Sequence, residues 1–283
     1  MYRPTKPRCG VRPRSLSVAT VLYVIDGVGS TTRILAVNRS TNQLRTVLSP
    51  LRNGTGPQDI AAVPDGTLYV ANGDDTGVCA IRPGKGECET IAEAVPGRKG
   101  GVPADAVAVG RDGTVYAAVS LNARIVAIDP KTRRVWTIAG VTGTRAPPVT
   151  ATSAEIGQPA GLAVGADGTL YFADFANHRI RAIDPATGKI HAVAGTTSFA
   201  GELIPEKAVY AGGSYTGDDG VACQATLNAP RGLTVSPGGA IYVADSGNNR
   251  VRAIGTVLTP PASCCGRRRT SSAVSACSRR AVW

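Results

Sequence analysis

The 283-residue chain carries 31 Lys and Arg against 20 Asp and Glu, a formal net charge of +11, with 43% hydrophobic and 18% charged residues. This is an ordinary globular composition with length for a substantial core, and no run of about 18 apolar residues is present to span a bilayer as a helix. The excess charge does not mark a nucleic-acid binder, because residues 1–16 and 256–283 hold ten basic and no acidic side chains, leaving 21 basic against 20 acidic between them.

Residues 1–19 alternate Pro and Arg without apolar periodicity and read as a disordered basic tail. The apolar run Leu16 to Ile25 overlaps the first strand of the repeat region, so it is not read as a secretory signal, and the compartment stays open. From Thr20 onward one pattern recurs, clearest in "ADGTLYFADFANHRIRAIDPATGKIHAVAG" from Ala166 to Gly195. It predicts strands at Thr169 to Asp174, Ile180 to Asp184 and Ile190 to Ala194, preceded by one at Gly161 to Val164. An Asp-Gly turn, an Asn-containing loop and a Pro/Gly turn connect them as a four-stranded antiparallel meander.

Further copies start at Thr20, Pro64, Arg111 and Pro237. Their tyrosines, Tyr23, Tyr69, Tyr116, Tyr171 and Tyr242, lie 46, 47, 55 and 71 residues apart. Four strands repeated every 40 to 50 residues or so is the signature of propeller blades. The expected fold is therefore an all-β propeller over residues 20–255, with five recognisable four-stranded blades of which the first and last are incomplete. In the first blade the inner-strand position falls in the Arg/Pro tail, so that strand is either absent or comes from elsewhere. In the others, Pro57, Pro103, Pro159 and Pro230 precede short small-residue strands suited to a crowded axis. The second strands, such as Leu68-Tyr69-Val70-Ala71, are apolar on both faces and need a neighbour on each side.

Two inserts, Val141 to Gln158 and Thr196 to Ala229, separate the last strand of one blade from the first of the next. Loops of that length in a compact domain are usually functional or disordered. After Ile254 the pattern stops with no outer strand for the last blade, and residues 256–283 read as a disordered Arg/Ser/Cys-rich tail foreign to the repeats.

The combined motif resembles the NHL-repeat family, bacterial type. It runs Pro-x-Gly-Leu-x-Val, then Asp-Gly-x-Leu-Tyr-Val-Ala-Asp, then Asn-His/Asn-Arg-Ile/Val-Arg, and is clearest at Pro159 to Gly195 and Pro230 to Gly255. The resemblance implies a β-propeller, commonly six-bladed, of a kind that serves as a binding platform or extracytoplasmic sensor and, in a few relatives, as a metal-dependent lyase or lactonase. The Gly-Asp-Asp-Gly stretch of the second insert is similar to linkers in that family.

Candidate binding residues cluster in the loops between second and third strands: Asp74 and Asp75; Asn122 and Arg124; Asp174, Asn177, His178 and Arg179; Asp245, Asn248, Asn249 and Arg250. Asp218 and Asp219 of the second insert join them, because meander geometry brings these loops and the inserts to one face. The set reads either as a ligand-recognising ring or as turn caps with Arg paired to Asp, and repetition in several blades favours the caps. No catalytic constellation emerges. Two histidines, His178 and His191, are too few for a propeller zinc lyase; Asp218 and Asp219 lack the spaced oxygens of a calcium loop; no nucleophile or phosphate motif occurs. No metal or cofactor is expected. Register makes Cys79 a diagonal neighbour of Cys88, too far for an easy disulfide. The expected function is a monomeric, non-catalytic scaffold or sensor binding a protein or small ligand through the insert-bearing face, with no specific nucleic acid. A metal-dependent hydrolase or lyase using the axial opening is the alternative.

Overall fold

The computed structural model describes residues 20–27, 32–48, 56–73, 77–92, 103–140, 154–195, 215–255 and the backbone of 274–276. They form five antiparallel sheets arranged as a five-bladed β-propeller. Blade 1 holds β1 (Val21–Asp26), β2 (Arg33–Asn38) and β3 (Gln43–Leu48). Blade 2 holds β4 (Pro57–Ala62), β5 (Leu68–Asn72), β6 (Val78–Ile81) and β7 (Glu89–Thr90). Blade 3 holds β8 (Ala106–Val109), β9 (Val115–Val119), β10 (Arg124–Ile128) and β11 (Val135–Ala139). Blade 4 holds β12 (Pro159–Val164), β13 (Leu170–Asp174), β14 (Arg179–Ile183) and β15 (Ile190–Ala194). Blade 5 holds β16 (Pro230–Val235), β17 (Ile241–Asp245), β18 (Arg250–Ile254) and β19 (Val274–Ala276).

Among the described residues blade 1 has three strands, but blade 5 has four, which corrects the expected stop after Ile254. Residues 274–276 pair antiparallel with β18, Arg252 opposite Ala276 and Ile254 opposite Val274. A bare β18 edge offers a row of backbone donors and acceptors that any extended segment can satisfy, so strand-forming periodicity in the tail is not required. The rest of the expected basic N-terminal and Arg/Ser/Cys-rich C-terminal tails lies outside the described residues.

The turns follow their residues. In the first hairpin of blades 2, 3 and 4, Asp65, Asp112 and Asp167 accept the N–H of Thr67, Thr114 and Thr169 at 2.8, 3.0 and 3.0 Å. The glycine that follows each Asp sits at φ +85, +86 and +86°, a conformation that excludes a side chain at little cost only for glycine. Asp129 and Asp184 cap the outer hairpins in the same way, accepting from Lys131 and Ala186.

The core lies between blades rather than within one layer. Leu68, Val70, Cys79 and Ile81 of blade 2 pack on Ile34 and Leu48 of blade 1. Phe172 and Leu170 of blade 4 pack on Ile125, Ala118 and Ala139 of blade 3, and Ile241, Val243 and Ile254 of blade 5 on Ile180 and Ala182 of blade 4. Second and third strands of blades 2, 3 and 4 are thus covered on both sides, as their doubly apolar sequences demand. Each fully buried Val, Leu, Ile or Phe contributes about 1.5–3 kcal/mol before chain entropy is subtracted. The inner strands β4, β8, β12 and β16 line an axial cavity of about 530 Å³.

Cys79 and Cys88 form a disulfide, overturning the expected separation. The ladder register is the predicted one, Cys79 opposite Thr90 and Ala80 opposite Glu89. But β7 is only two residues long, so Cys88 lies just outside the ladder and closes to 5.5 Å between Cα atoms, within disulfide reach.

One backbone position recurs before β6, β10, β14 and β18 of blades 2 to 5. Gly77, Ala123, His178 and Asn249 all adopt the left-handed conformation, at φ 65, 48, 53 and 51°. Glycine and Asn tolerate it, whereas the Cβ of Ala meets the following carbonyl oxygen. Ala123→Gly should therefore raise stability by about 0.5–1 kcal/mol in urea titrations despite the added freedom of the unfolded chain. A loss of stability would show that the conformation carries no strain.

Candidate functional site

The loops between second and third strands and the ends of both inserts meet on one face, as the meander geometry requires. Each loop of blades 3, 4 and 5 is a single 3₁₀ turn: Ser120–Asn122, Phe175–Asn177 and Ser246–Asn248. Above blade 4, the last insert residues pass over Asp174, whose Oδ1 accepts Gly157 N–H at 2.6 Å and Asn177 Nδ2 at 3.0 Å. Its Oδ2 accepts Arg181 Nη1 at 3.1 Å, and the same guanidinium nitrogen donates to Glu155 O at 2.8 Å.

Blade 5 repeats the arrangement with more bonds. Asp245 accepts Asn228 N–H at 2.7 Å and Asn248 Nδ2 at 2.8 Å. Arg252, fully buried, lies 3.6 Å from Asp245 and donates to Thr226 O at 2.5 Å, Thr216 O at 3.1 Å and Asp218 Oδ1 at 2.5 Å. Thr216 and Thr226 face each other across an isolated bridge, so one guanidinium pins both legs of the insert hairpin. Gly195 N–H, at the end of β15, donates to Ala222 O and ties the hairpin to blade 4.

The pair changes as a unit along the chain. The position of Asp174 and Asp245 is Asn72 in blade 2 and Val119 in blade 3; that of Arg181 and Arg252 is Cys79 and Val126. Asp with Arg occurs in the blades preceded by a long insert, while blade 2 has a bond from Asn72 Nδ2 to Cys79 Sγ at 3.3 Å. Blade 1 keeps Asp26 at this position, ion-paired with Arg33 on the surface.

Asp174 and Asp245 are fully buried, and Asn177 and Asn248 spend their amides on them. These four residues, Arg181 and Arg252 anchor the face from beneath. Asn122, Arg124 and Arg179 are half-buried at its floor, and Asp218 is engaged by Arg252. Asp219 and Asn249 are exposed in left-handed turns, while Arg250 stacks on Tyr215 with its guanidinium carbon 3.5 Å from the ring centroid. Asp74 and Asp75 lie outside the described residues.

What reaches solvent here is largely what repeat matching passes over: Tyr215 (44% exposed) and Val221 (38%) in the insert, Leu121 (80%) in the blade 3 turn, and Arg231, which stacks on Phe175 at 4.6 Å. Their place in a long insert was the one sequence signal for Tyr215 and Val221. Among the described residues no three His, Cys, Asp or Glu side chains converge as metal ligands.

His178 joins the two insert-bearing blades. Its Nδ1 accepts Ala229 N–H at 2.8 Å, which assigns the proton of the neutral ring to Nε2. Burial pushes this imidazole below its ordinary value, against the pull of the Asp245 and Asp174 carboxylates.

Two outcomes are expected from these contacts. Arg252→Ala leaves Asp245 buried without its cation and should cost about 3–5 kcal/mol, whereas Asp245→Leu with Arg252→Met should cost far less. In that double variant limited proteolysis should cut within residues 215–229 while the blades persist; equal loss in both variants would show that the charges do not act as a pair. An imidazole that folding holds neutral supports the fold above its unfolded value, about 6.5, and loses that support as pH falls through its lower folded value. The melting temperature should drop as pH falls below about 6.5, and His178→Asn, the residue blade 5 uses at this place, should flatten that slope. An unchanged slope would assign the effect to His191, which burial also pushes down.

Comparison with known proteins agrees with this architecture. Residues 157–183 match the NHL repeat and residues 185–255 the teneurin NHL domain. Over 95 residues, 33% of this chain and 3% of the relative, the sequence is 39% identical to teneurin-4 of Homo sapiens. The chain spans less than about a tenth of the length of the curated relatives it matches, 8% in the case of the chloroplastic protein Suppressor of quenching 1 of Arabidopsis thaliana. An auxiliary nutrient binding protein of Bacteroides thetaiotaomicron superposes with a TM-score of 0.60 at 19% identity, covering 84% of this chain and 56% of that one. Virginiamycin B lyase of Staphylococcus aureus superposes at 0.52 and 14% identity, covering 84% and 70%. Within residues 157–255 the chain carries NHL-type sequence, and the described residues fold as a β-propeller.

Proposed function

We propose that this propeller is a non-catalytic binding module that engages a protein partner through its insert-bearing face. The observation that carries the reading is the second insert. Two buried charges hold residues 215–229 in one conformation while its apolar side chains Tyr215 and Val221 stay in solvent. A hairpin ordered at that expense, with its aromatic ring turned outward, is preorganised for contact. Arg250 stacked on Tyr215 and Arg231 stacked on Phe175 add two rigid cation–aromatic pairs of the kind that dominate protein interfaces. The exposed groups are spread over a crown rather than sunk in a pocket, which fits a macromolecular surface better than a small ligand. The likeness to a nutrient binding protein is consistent with a binding role at the level of fold.

The axial cavity supports the enzyme reading less well. Both of its acids are engaged: Asp105 accepts Ser120 N–H at 3.0 Å, and Asp59, its carboxyl pushed up by burial, accepts Val107 N–H and Ile60 N–H, both at 2.9 Å, one on each oxygen. Asp59 thereby staples β4 to β8 and is held to that task.

The test is capture from an extract of the native source by the immobilised full chain, with partners identified by mass spectrometry. Tyr215→Ser with Val221→Asp should reduce capture at least about tenfold, the loss expected from a pair of central contacts, while circular dichroism and melting stay unchanged. Undiminished capture would move the contact off this face.

A further inference from the structure

The turn between the third and fourth strands opens, in blades 1, 3 and 4, with a side chain that accepts hydrogen bonds from its own turn. Asn38 accepts Ser40 N–H at 2.9 Å, and Asp129 and Asp184 accept Lys131 N–H and Ala186 N–H, both at 2.8 Å. The same register position in blade 2, directly after Ile81, is Arg82. A guanidinium cannot accept a hydrogen bond, so blade 2 gives up the cap and sets a cation in its place.

A second position departs from the pattern beside it. Opposite the third-strand alanine that blades 1 to 4 share, the outer strand carries Trp136 in blade 3 and His191 in blade 4, but Arg45 in blade 1. Arg45 and Arg82 line one cavity of about 250 Å³ between blades 1 and 2, together with Tyr23, Lys85 and the buried Leu68 and Ile81. It opens at the end of the blades remote from the insert-bearing face, and no carboxylate of the described residues lines it. We propose that this cavity binds the phosphate group of a small organic phosphate monoester.

The charges that remain unspent select this ligand. Arg45 and Lys85 form no ion pair or side-chain hydrogen bond with any described residue. Arg82 meets Glu89 only at 3.3 Å, while Arg133 holds that carboxylate at 2.6 Å, so the Arg82 fork keeps donors to spare. Two unpaired cations and a third half-satisfied one call for more than a single negative charge. A phosphate monoester brings about −1.5 to −2 at neutral pH with three acceptor oxygens, and its geometry suits the planar guanidinium. A carboxylate brings half that charge. The cavity is smaller than the roughly 300–1,000 Å³ of sites for drug-sized ligands, which limits the organic body to a few atoms beside Leu68 and Ile81. The site lies on the other face from the proposed protein contact, so the two stand or fall separately.

Calorimetric titration of the full chain with phenyl phosphate, near neutral pH and at about physiological ionic strength, tests the proposal. Saturable binding at one site is expected, with none for benzyl alcohol. Arg82→Asp, the residue that blades 3 and 4 use, should weaken binding about tenfold or more, the loss expected with a charge-assisted donor. It restores the turn cap and removes only an exposed ion pair, so its melting temperature should hold or rise. Lys85→Ala, an exposed change, should weaken binding in the same direction without touching the fold. Affinity should also fall in the unsubstituted chain as pH drops below about 6, where the monoester takes up a proton. No saturable heat, or equal affinity in both variants, would overturn the proposal. Inorganic phosphate binding as tightly as the ester would reduce the site to an adventitious ion only, and a phosphoserine peptide binding more tightly would assign it to a protein-borne group; either result overturns it.

Discussion

The structure of the crown depends on burying a guanidinium and a carboxylate together beneath each long insert. Placing either charge alone in that interior would cost several kcal/mol, and the pair is tolerated only because backbone groups satisfy what the ions leave over. The insert supplies those groups: Gly157 N–H and Glu155 O over blade 4, Asn228 N–H with Thr216 O and Thr226 O over blade 5. Blade and insert are thus conditions for each other. Without the insert the charges lack partners, and without the charges the second insert keeps a few scattered ties, such as Gly195 N–H to Ala222 O, Gly247 N–H to Asn228 O and Ala229 N–H to the His178 ring. This explains why the corresponding positions become Val119 and Val126 in blade 3, where an apolar pair needs no support from above.

A second constraint comes from the blades themselves. Each is apolar on both faces, so it is stable only between neighbours, and the ends of the series show what happens where one is lacking. Val251 is 52% exposed, while its equivalent one blade earlier, Ile180, is 0% exposed. Leu22 is 53% exposed where Leu170, its counterpart in blade 4, is 3% exposed. The faces of blades 1 and 5 that point away from the rest therefore carry the same residue types as the interior interfaces with less covering them. Sequence pattern alone sets a blade's faces; whether a face is buried is decided by the next blade.

The fold was legible because its signals are local and repeated. Asp-Gly turns, doubly apolar second strands and the Asn-containing loops before the third strands each depend on residues within one hairpin, and five copies average out the noise. Three features escaped for a common physical reason: they depend on chain segments far apart or on the end of a ladder. The β19 pairing needs only a free edge. The Cys79 and Cys88 bridge depends on β7 ending after two residues, which spacing does not reveal. The site residues group together in the sequence, yet Asp174 and Asp245 read there with Asn177 and Asn248 as one polar set, and only burial separates the anchors beneath from the groups on top.

That separation changes what repetition means for function. A residue that recurs between blades is there because those blades solve the same packing or capping problem, so the Asp, Asn and Arg shared by blades 4 and 5 describe how the propeller holds its inserts. Recognition has to be asymmetric, since a partner meets one face in one orientation. It must therefore draw on what the repeats do not share. Under the proposed binding role that leaves Tyr215 and Val221 of the second insert, with Leu121 and Arg231 around them and the consensus Arg250 stacked on Tyr215. The consensus residues below keep them in place.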